Sequence, residues 1–336
     1  MDNRMGFFER YVRVLPRWPL LGGQAGERET LRFWIERAAR RYSERPALQA
    51  GERRMTFRDW NARANQYARW ARTLPLTRGD VVALQSHDWI ECFCAFTGFA
   101  KIGVGTLLLD PSRPMSSIID IVATAKPRAA IVDAGLLKDA VAAFAEREWT
   151  APVYTLGKAD CAGAPRAPQL DLLLRGFSKC DIPPDARVRL TGAEIALVDI
   201  GLEQTSRTRG RDQSRILKTA RELGRTADLR RHDRLLILSQ QPCSAALMTV
   251  AFANLAKGGA CVAVDYATIA EDLNSLSKHE CSLMAVDGEA LAAVCAIRRD
   301  ARLFNGMRTI FAADLSSEAE ADWRVRHPAT PLIGLR

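Results

Sequence analysis

Between Val81 and Leu156 the chain carries four short apolar runs, Val81–Leu84, Gly105–Leu109, Ala129–Val132 and Val153–Leu156, each separated from the next by residues with helical apolar spacing. The intervening helices are read over Trp89–Lys101, Met115–Ala125 and Ala134–Arg147. Strand-length runs with no polar alternation need cover on both faces, and a helix between each pair supplies the crossover that parallel strands require. The pattern restricts the chain to an α/β fold with a mostly parallel sheet.

The same pattern extends in both directions. Upstream, Leu31, Trp34, Ile35 and Ala38 mark a helix that ends near Tyr42, followed by strands Ala47–Gln49 and Arg54–Thr56 turned by Gly51 and Glu52. Thr56 with Asp59 predicts the N-cap of a helix bearing Phe57, Trp60, Ala64, Tyr67, Ala68 and Ala71. Downstream, Pro165, Pro168, Pro183 and Pro184 interrupt the alternation. A second series then runs through Ile195–Asp199, Leu235–Leu238, Ala260–Val264, Leu283–Val286 and Thr309–Phe311. The expected organisation is an N-terminal arm over 1–30, a first α/β half over 31–156, a connecting segment over 157–190 and a second half over 191–336, with two packed, mostly parallel sheets.

With 48% hydrophobic and 26% charged residues in 336, the composition is that of a globular protein, and a net charge of +9 favours an anionic partner. No apolar run reaches the roughly 20 residues that span a bilayer, and no signal-peptide pattern is present, so a cytoplasmic location is expected. The 8 cysteines lack paired metal-ligand spacing and read as reduced thiols, and His87, His232, His279 and His327 also lack ligand spacing, so no metal is expected. Two segments concentrate positive charge. In the arm, Phe7, Phe8, Tyr11 and Trp18 are interleaved with Arg4, Arg10, Arg13 and Arg17, which suits either peripheral attachment to an anionic membrane or packing on the domain. The run Arg207–Arg234, including Arg215, Lys218 and Arg221, reads as an amphipathic helix with one cationic face. It suits an acidic protein or an anionic membrane better than nucleic acid, because it has no aromatic interleaving.

Three strings, Met55-Thr56-Phe57-Arg58-Asp59-Trp60, Arg78-Gly79-Asp80-Val81-Val82 and Phe99-Ala100-Lys101-Ile102-Gly103, resemble the N-terminal part of the AMP-binding, adenylate-forming superfamily, and within it the fatty acid transport and very-long-chain acyl-CoA synthetase branch. The resemblance implies the large-domain α/β fold of such enzymes, here without their mobile C-terminal lid. It also implies an ATP loop of the form Thr-Ser-Gly-Thr-Thr-Gly-x-Pro-Lys. The matching register offers Gly201 for the first glycine, Leu202 and Glu203 for the threonines, Gln204 for the second glycine and Arg207 for the lysine. The family's Tyr-Gly-x-Thr-Glu segment falls on Leu332–Arg336, where Gly334 alone fits. Near Pro242 and Cys243 the family's aromatic-histidine pair is replaced, and Cys243 has no adjacent histidine.

These departures predict no catalytic residue, no bound cofactor and a catalytically silent or impaired relative. Such a chain acts by binding, through a protein partner or self-association around Thr309–Arg336. The competing expectation is an active fatty-acid adenylating enzyme, or a half-enzyme completed by another chain, in which Arg207 grips the phosphates of ATP and magnesium is present.

Overall fold

The computed structural model describes residues 27–157, 167–200, 208–239, 244–265, 279–296, 307–313, 317–326 and 330–335. Its strands are β1 Pro46–Ala50, β2 Arg53–Thr56, β3 Val81–Gln85, β4 Gly105–Leu109, β5 Ala129–Asp133, β6 Val153–Leu156, β7 Ile195–Ile200, β8 Thr208–Asp212, β9 Arg234–Ser239, β10 Ala260–Asp265, β11 Leu283–Asp287, β12 Thr309–Ala313 and β13 Leu332–Leu335. Its α-helices are α1 Leu31–Tyr42, α2 Phe57–Ala71, α3 Trp89–Ala100, α4 Met115–Ala125, α5 Leu137–Glu146, α6 Leu170–Arg175, α7 Gln213–Thr226, α8 Ala245–Lys257, α9 Gly288–Ala296 and α10 Ser317–Arg326.

The strands form two sheets, one seven-stranded in the order β13-β12-β11-β9-β10-β1-β2 and one six-stranded in the order β6-β5-β3-β4-β7-β8. Every pairing is parallel except the hairpins β1/β2 and β7/β8. Two mostly parallel sheets with flanking helices are therefore present, and among the described residues no separate smaller domain accompanies them. Sheet membership does not follow chain order. The early strands β1 and β2 join the sheet built from β9 to β13, and β7 and β8 complete the sheet built from β3 to β6.

Alternate residues of each central strand point to opposite layers. Val82 and Leu84 of β3, and Leu235 and Ile237 of β9, enter one core shared by both sheets, together with α1, α2, α3 and α8. Val81 and Ala83 face a second core under α4 and α5, while Leu236 and Leu238 face a third with Leu291 of α9 and Trp323 of α10. The layers are helix, sheet, helix, sheet, helix. In the middle layer every one of the 12 residues of α3 is buried, so this helix carries no polar stripe.

The caps expected from the sequence are formed. Asp59 N donates to Thr56 Oγ1 at 3.1 Å, and Thr56 N donates to Asp59 Oδ2 at 3.1 Å, a reciprocal capping box at the start of α2. One element differs from its sequence reading. The basic run from Arg207 is not helical throughout, because residues 208–212 pair with β7 as β8 and Asp212 then caps α7 by accepting from Arg215 N at 2.6 Å. The cysteines also divide: Cys92, Cys94 and Cys261 are buried free thiols, whereas Cys180 is exposed.

Helices α2 and α3 approach closely at Gly98, where an added Cβ would lie 2.5 Å from the Ala64 carbonyl oxygen and 2.6 Å from Tyr67 Cβ. Backbone blocks one of these directions, so side-chain movement cannot relieve the clash. Gly98→Ala is expected to lower unfolding free energy by about 2 kcal/mol or more, read as a drop in denaturant midpoint.

Past α6 the chain crosses the middle layer on polar contacts. Gln66 Nε2 donates to the Leu174 carbonyl at 2.8 Å, Asn65 Nδ2 to the Lys179 carbonyl at 2.9 Å and to Asp181 Oδ1 at 3.0 Å, and Arg32 Nη1 to the Val188 carbonyl at 2.9 Å. Beneath them Lys101, 1% exposed, donates to Asn61 Oδ1 at 2.5 Å and Asn65 Oδ1 at 2.6 Å, with Asp181 3.8 Å away. Glu36, also buried, accepts from Arg187 at 3.0 Å. Burial pushes the Lys101 ammonium down to about 8, against the attraction of Glu36 and Asp181, and Arg187 and Arg32 add to the lowering. Between about pH 8 and the ordinary lysine value of 10.5 the unfolded chain therefore binds the extra proton, and stability rises with pH there. The gain is on the order of 3 kcal/mol. It is complete above the unfolded value and lost as pH falls through about 8. Urea unfolding of wild type and Lys101→Met across this window should show the slope in the wild type and its absence in the variant.

Candidate functional site

In parallel α/β sheets ligands bind outside the carboxyl ends of the strands, where the order of connection reverses. Each sheet here has such a point. In the seven-stranded sheet β9 is followed by β10 on one side, and β11 then pairs on the other side of β9. In the six-stranded sheet β3 is followed by β4 on one side and by β5 on the other.

At the first reversal the carboxyl ends of β9 and β11 bring Ser239 and Asp287 together, with the Ser239 hydroxyl donating to Asp287 Oδ2. Asp287 Oδ1 accepts from Ala290 N at 2.7 Å, which holds the carboxylate against the first turn of α9. Strand alternation places both residues on the side that faces the shared core. Gly334 lies two strands away, paired with Ala312 on β12. An added Cβ there would meet nothing within 4 Å, and the backbone is not left-handed, so neither conformation nor packing demands glycine at this position. Gly201 and Arg207 belong to the connection between β7 and β8 and lie outside the described residues, as do Arg10, Arg13, Arg17, Trp18, Cys243 and His327. Arg215, Lys218 and Arg221 are described and exposed on α7, and nothing brings them to Gly334.

The second reversal opens into a cavity of about 910 Å³, lined among others by Arg53, Arg63, Asp88, Glu91, Asp133 and Asp171. Gly334 is not among the residues that line it. The charged groups at its base are spent on one another. Glu91 Oε2 accepts from Arg63 Nε at 3.0 Å and from the Tyr67 hydroxyl at 2.6 Å, while Oε1 accepts from Arg53. Arg63 continues to Asp171 at 2.8 Å, whose other oxygen accepts from Gly157 N at 2.9 Å, and Arg53 continues to Asp88 at 2.6 Å. Burial works against the Glu91 carboxylate, but Arg63, the Tyr67 hydroxyl and Arg53 outweigh it and hold its carboxyl below the usual range. Burial likewise raises Asp88, and burial together with Glu91 raises the Tyr67 phenol. Beside the cavity His87 Nδ1 lies 3.0 Å from Asp133 Oδ2, which also accepts from His87 N at 2.7 Å. This arrangement fastens β2, α2, α3 and α6 to one another, and the acids at its base each have a hydrogen-bonding partner.

Sequence reading missed Ser239, Asp287, Glu91 and Asp133. The signal for the first two was the last residue of an apolar strand run, with helix onset one step later in the case of Asp287. Glu91 sits inside an otherwise apolar helix, Trp89-Ile90-Glu91-Cys92-Phe93, where a carboxylate must be paired to be tolerated.

The fold accords with the comparisons. Residues 35–171 match the family model of AMP-binding enzymes. The match covers 137 of the 336 residues of this chain. Bacitracin synthase 1 of Bacillus licheniformis is 33% identical over 90 residues, which is 27% of this chain and 2% of that protein. The solved anthranilate CoA ligase AuaEII in complex with anthranoyl-AMP superposes with TM-score 0.72 at 17% identity, covering 90% of this chain and 58% of that one. VinN superposes with TM-score 0.69 at 15% identity, covering 90% and 73%. At such identity the structures establish the shared fold, the N-terminal α/β domain of adenylate-forming enzymes. The chain thus spans only a small part of this curated relative and part of each solved neighbour.

Replacing Glu91 by glutamine leaves two arginines at a buried position facing one neutral amide oxygen in place of the carboxylate that both share. Glu91→Gln is expected to cost about 3 kcal/mol, read as a fall in thermal midpoint at neutral pH. Because the Glu91 carboxyl is depressed, its contribution is full above the ordinary carboxylate value and fades as pH falls through the folded one. The gap between wild type and variant should therefore close on acidification.

Proposed function

We propose that this protein is a catalytically silent or strongly impaired relative of adenylate-forming acyl-CoA ligases that acts by binding. The observation that carries the reading is the composition of the segment between β7 and β8. Where the family places threonines and glycine to cradle polyphosphate, this chain has Leu202, Glu203 and Gln204. A cradle needs small residues so that backbone N–H groups can reach the phosphate oxygens. A carboxylate 4 Å from a phosphate charge costs about 4 kcal/mol at an effective dielectric of about 20. These residues do not fit ATP. The hairpin strands that would hold such a loop are retained, with Asp199 paired to Arg209 and Ile200 to Thr208, which supports a scaffold kept without its chemistry. The finer placement, beside the fatty acid transport branch, rests on the strings around Thr56–Trp60 and Phe99–Gly103.

What is bound follows from surface as well as fold. Val325 on α10 is 80% exposed, and Leu332 and Ile333 on β13 are half-buried, which supports a protein partner or a second copy covering this edge.

The competing reading is an active adenylating enzyme in which Arg207 replaces the loop lysine. Two measurements separate them. Pyrophosphate release with ATP, magnesium, CoA and a panel of fatty acids is expected to stay at background. Millimolar Mg-ATP is expected to leave the melting temperature unchanged, since only a ligand that prefers the native state raises it. Sustained turnover would overturn the proposal.

A further inference from the structure

Helices α1 and α7 both pack against α8. At one end Leu31 N donates to Gln213 Oε1 at 2.8 Å. At the other, Tyr42 abuts Gly258 at the end of α8, and the neighbouring Lys257 abuts Gly224 of α7. The two helices therefore run in the same direction and share an outward surface roughly 20 Å long, at about 1.5 Å per residue. The apolar sides of both face the core through Leu31, Ile35 and Ala38 on α1 and Ile216, Leu217, Ala220 and Leu223 on α7.

Their outward sides are almost wholly cationic. Arg37 and Arg41 are exposed on α1, and Arg215, Lys218, Arg221 and Arg225 on α7. Among the described residues none of these six has an acidic partner, whereas nearby Arg40 pairs with Glu36, Arg58 with Glu44 and Arg230 with Asp228. Glu222 is the one acid on the outward side of α7. Trp34 joins the helices at the centre. Its ring lies 5.4 Å from the Arg37 guanidinium and 5.9 Å from that of Arg221, and its indole N–H donates to the Arg28 carbonyl at 3.0 Å. Phe33 packs edge-on against it with centroids 5.7 Å apart. Six unpaired cations held together by folding repel one another, and an extended anionic surface relieves that repulsion.

We propose that the α1/α7 surface is a docking face for an anionic phospholipid bilayer. Three observations favour a bilayer over other polyanions. The surface is spread over two helices, and none of its six cations lines the cavity of about 910 Å³. Its central aromatic is already covered by two guanidinium groups and has little free face on which a nucleobase could stack. The turn Glu27–Glu29, which packs on both α1 and α7, leads directly back into the sequence carrying Arg4, Arg10, Arg13 and Arg17 with Phe7, Phe8 and Trp18. That composition is of the interfacial kind.

The test is co-sedimentation of the full-length chain with phosphatidylcholine vesicles, with and without phosphatidylserine. Wild type is expected to bind only the phosphatidylserine vesicles, and to be released as salt is raised from about 0.1 M to about 1 M, where the screening length falls from about 10 Å to about 3 Å. A basic residue near such a surface contributes about fivefold to partitioning. Arg215→Gln or Arg37→Gln should each lower binding by about that factor, and R37Q/R215Q/K218Q together by more than tenfold. All variants keep the N-terminal arginines, so the arm's share is common to every comparison. The proposal is overturned if wild type ignores phosphatidylserine vesicles, including the case where it binds heparin or nucleic acid instead. It is equally overturned if the triple variant, with an unchanged melting temperature, binds as wild type does.

Discussion

The separation between the two sheets is set where α2 crosses α3 at Gly98. With no Cβ at that point, the Ala64 carbonyl and the Tyr67 side chain come within contact of the α3 backbone. Trp60, Tyr67 and Trp70 on α2 can then interleave with Phe93 and Phe99 on α3 in tilted and edge-on ring contacts at 5.7 to 6.1 Å. The aromatic layer fixes how far β3 and β4 stand from β9 and β10. It thereby fixes where the carboxyl ends of both sheets fall.

Two large polar clusters accompany this apolar middle layer and do mechanical work. One anchors the connecting segment through Glu36, Lys101, Asp181 and Arg187. The other ties α3, α2, β2 and α6 through Glu91 and its two arginines. Buried ion pairs contribute little net stability compared with apolar packing of the same volume, but they penalise any misplacement of their elements strongly. Their distribution suits that role, because each ties elements outside the aromatic layer, the connecting segment in one case and β2 and α6 in the other, to the helices within it.

Much of this architecture was legible in the residues. Apolar runs such as Val81–Leu84 and Leu235–Leu238 gave strands because burial on both faces leaves no polar alternation, and Thr56 with Asp59 marked a helix start through a local hydrogen-bond geometry. Long-range pairing was not legible. Nothing near Leu48 indicates that it pairs with Cys261, since parallel neighbours are chosen by the packing of distant helices. The boundary inside the basic run was also hidden, because β8 and α7 are both arginine-rich and only the cap at Asp212 separates them. The site was half legible: departures from a loop pattern could be read from Leu202 and Glu203. The Ser239–Asp287 contact depends on two strands brought together from 48 residues apart.

The interleaving of the sheets has a consequence for how the molecule is made. On a ribosome β1 and β2 emerge early, but their parallel neighbour β10 follows roughly 200 residues later, and at about 5–20 residues per second that gap is on the order of ten to forty seconds. During that interval the inward side of β1, with Ala47 and Leu48, has no sheet to join. The six-stranded sheet likewise waits for β7 before β4 loses its open edge. The two halves of the sequence are therefore not two folding units. A fragment cut within the connecting segment would carry two strands of the wrong sheet and lack two of its own.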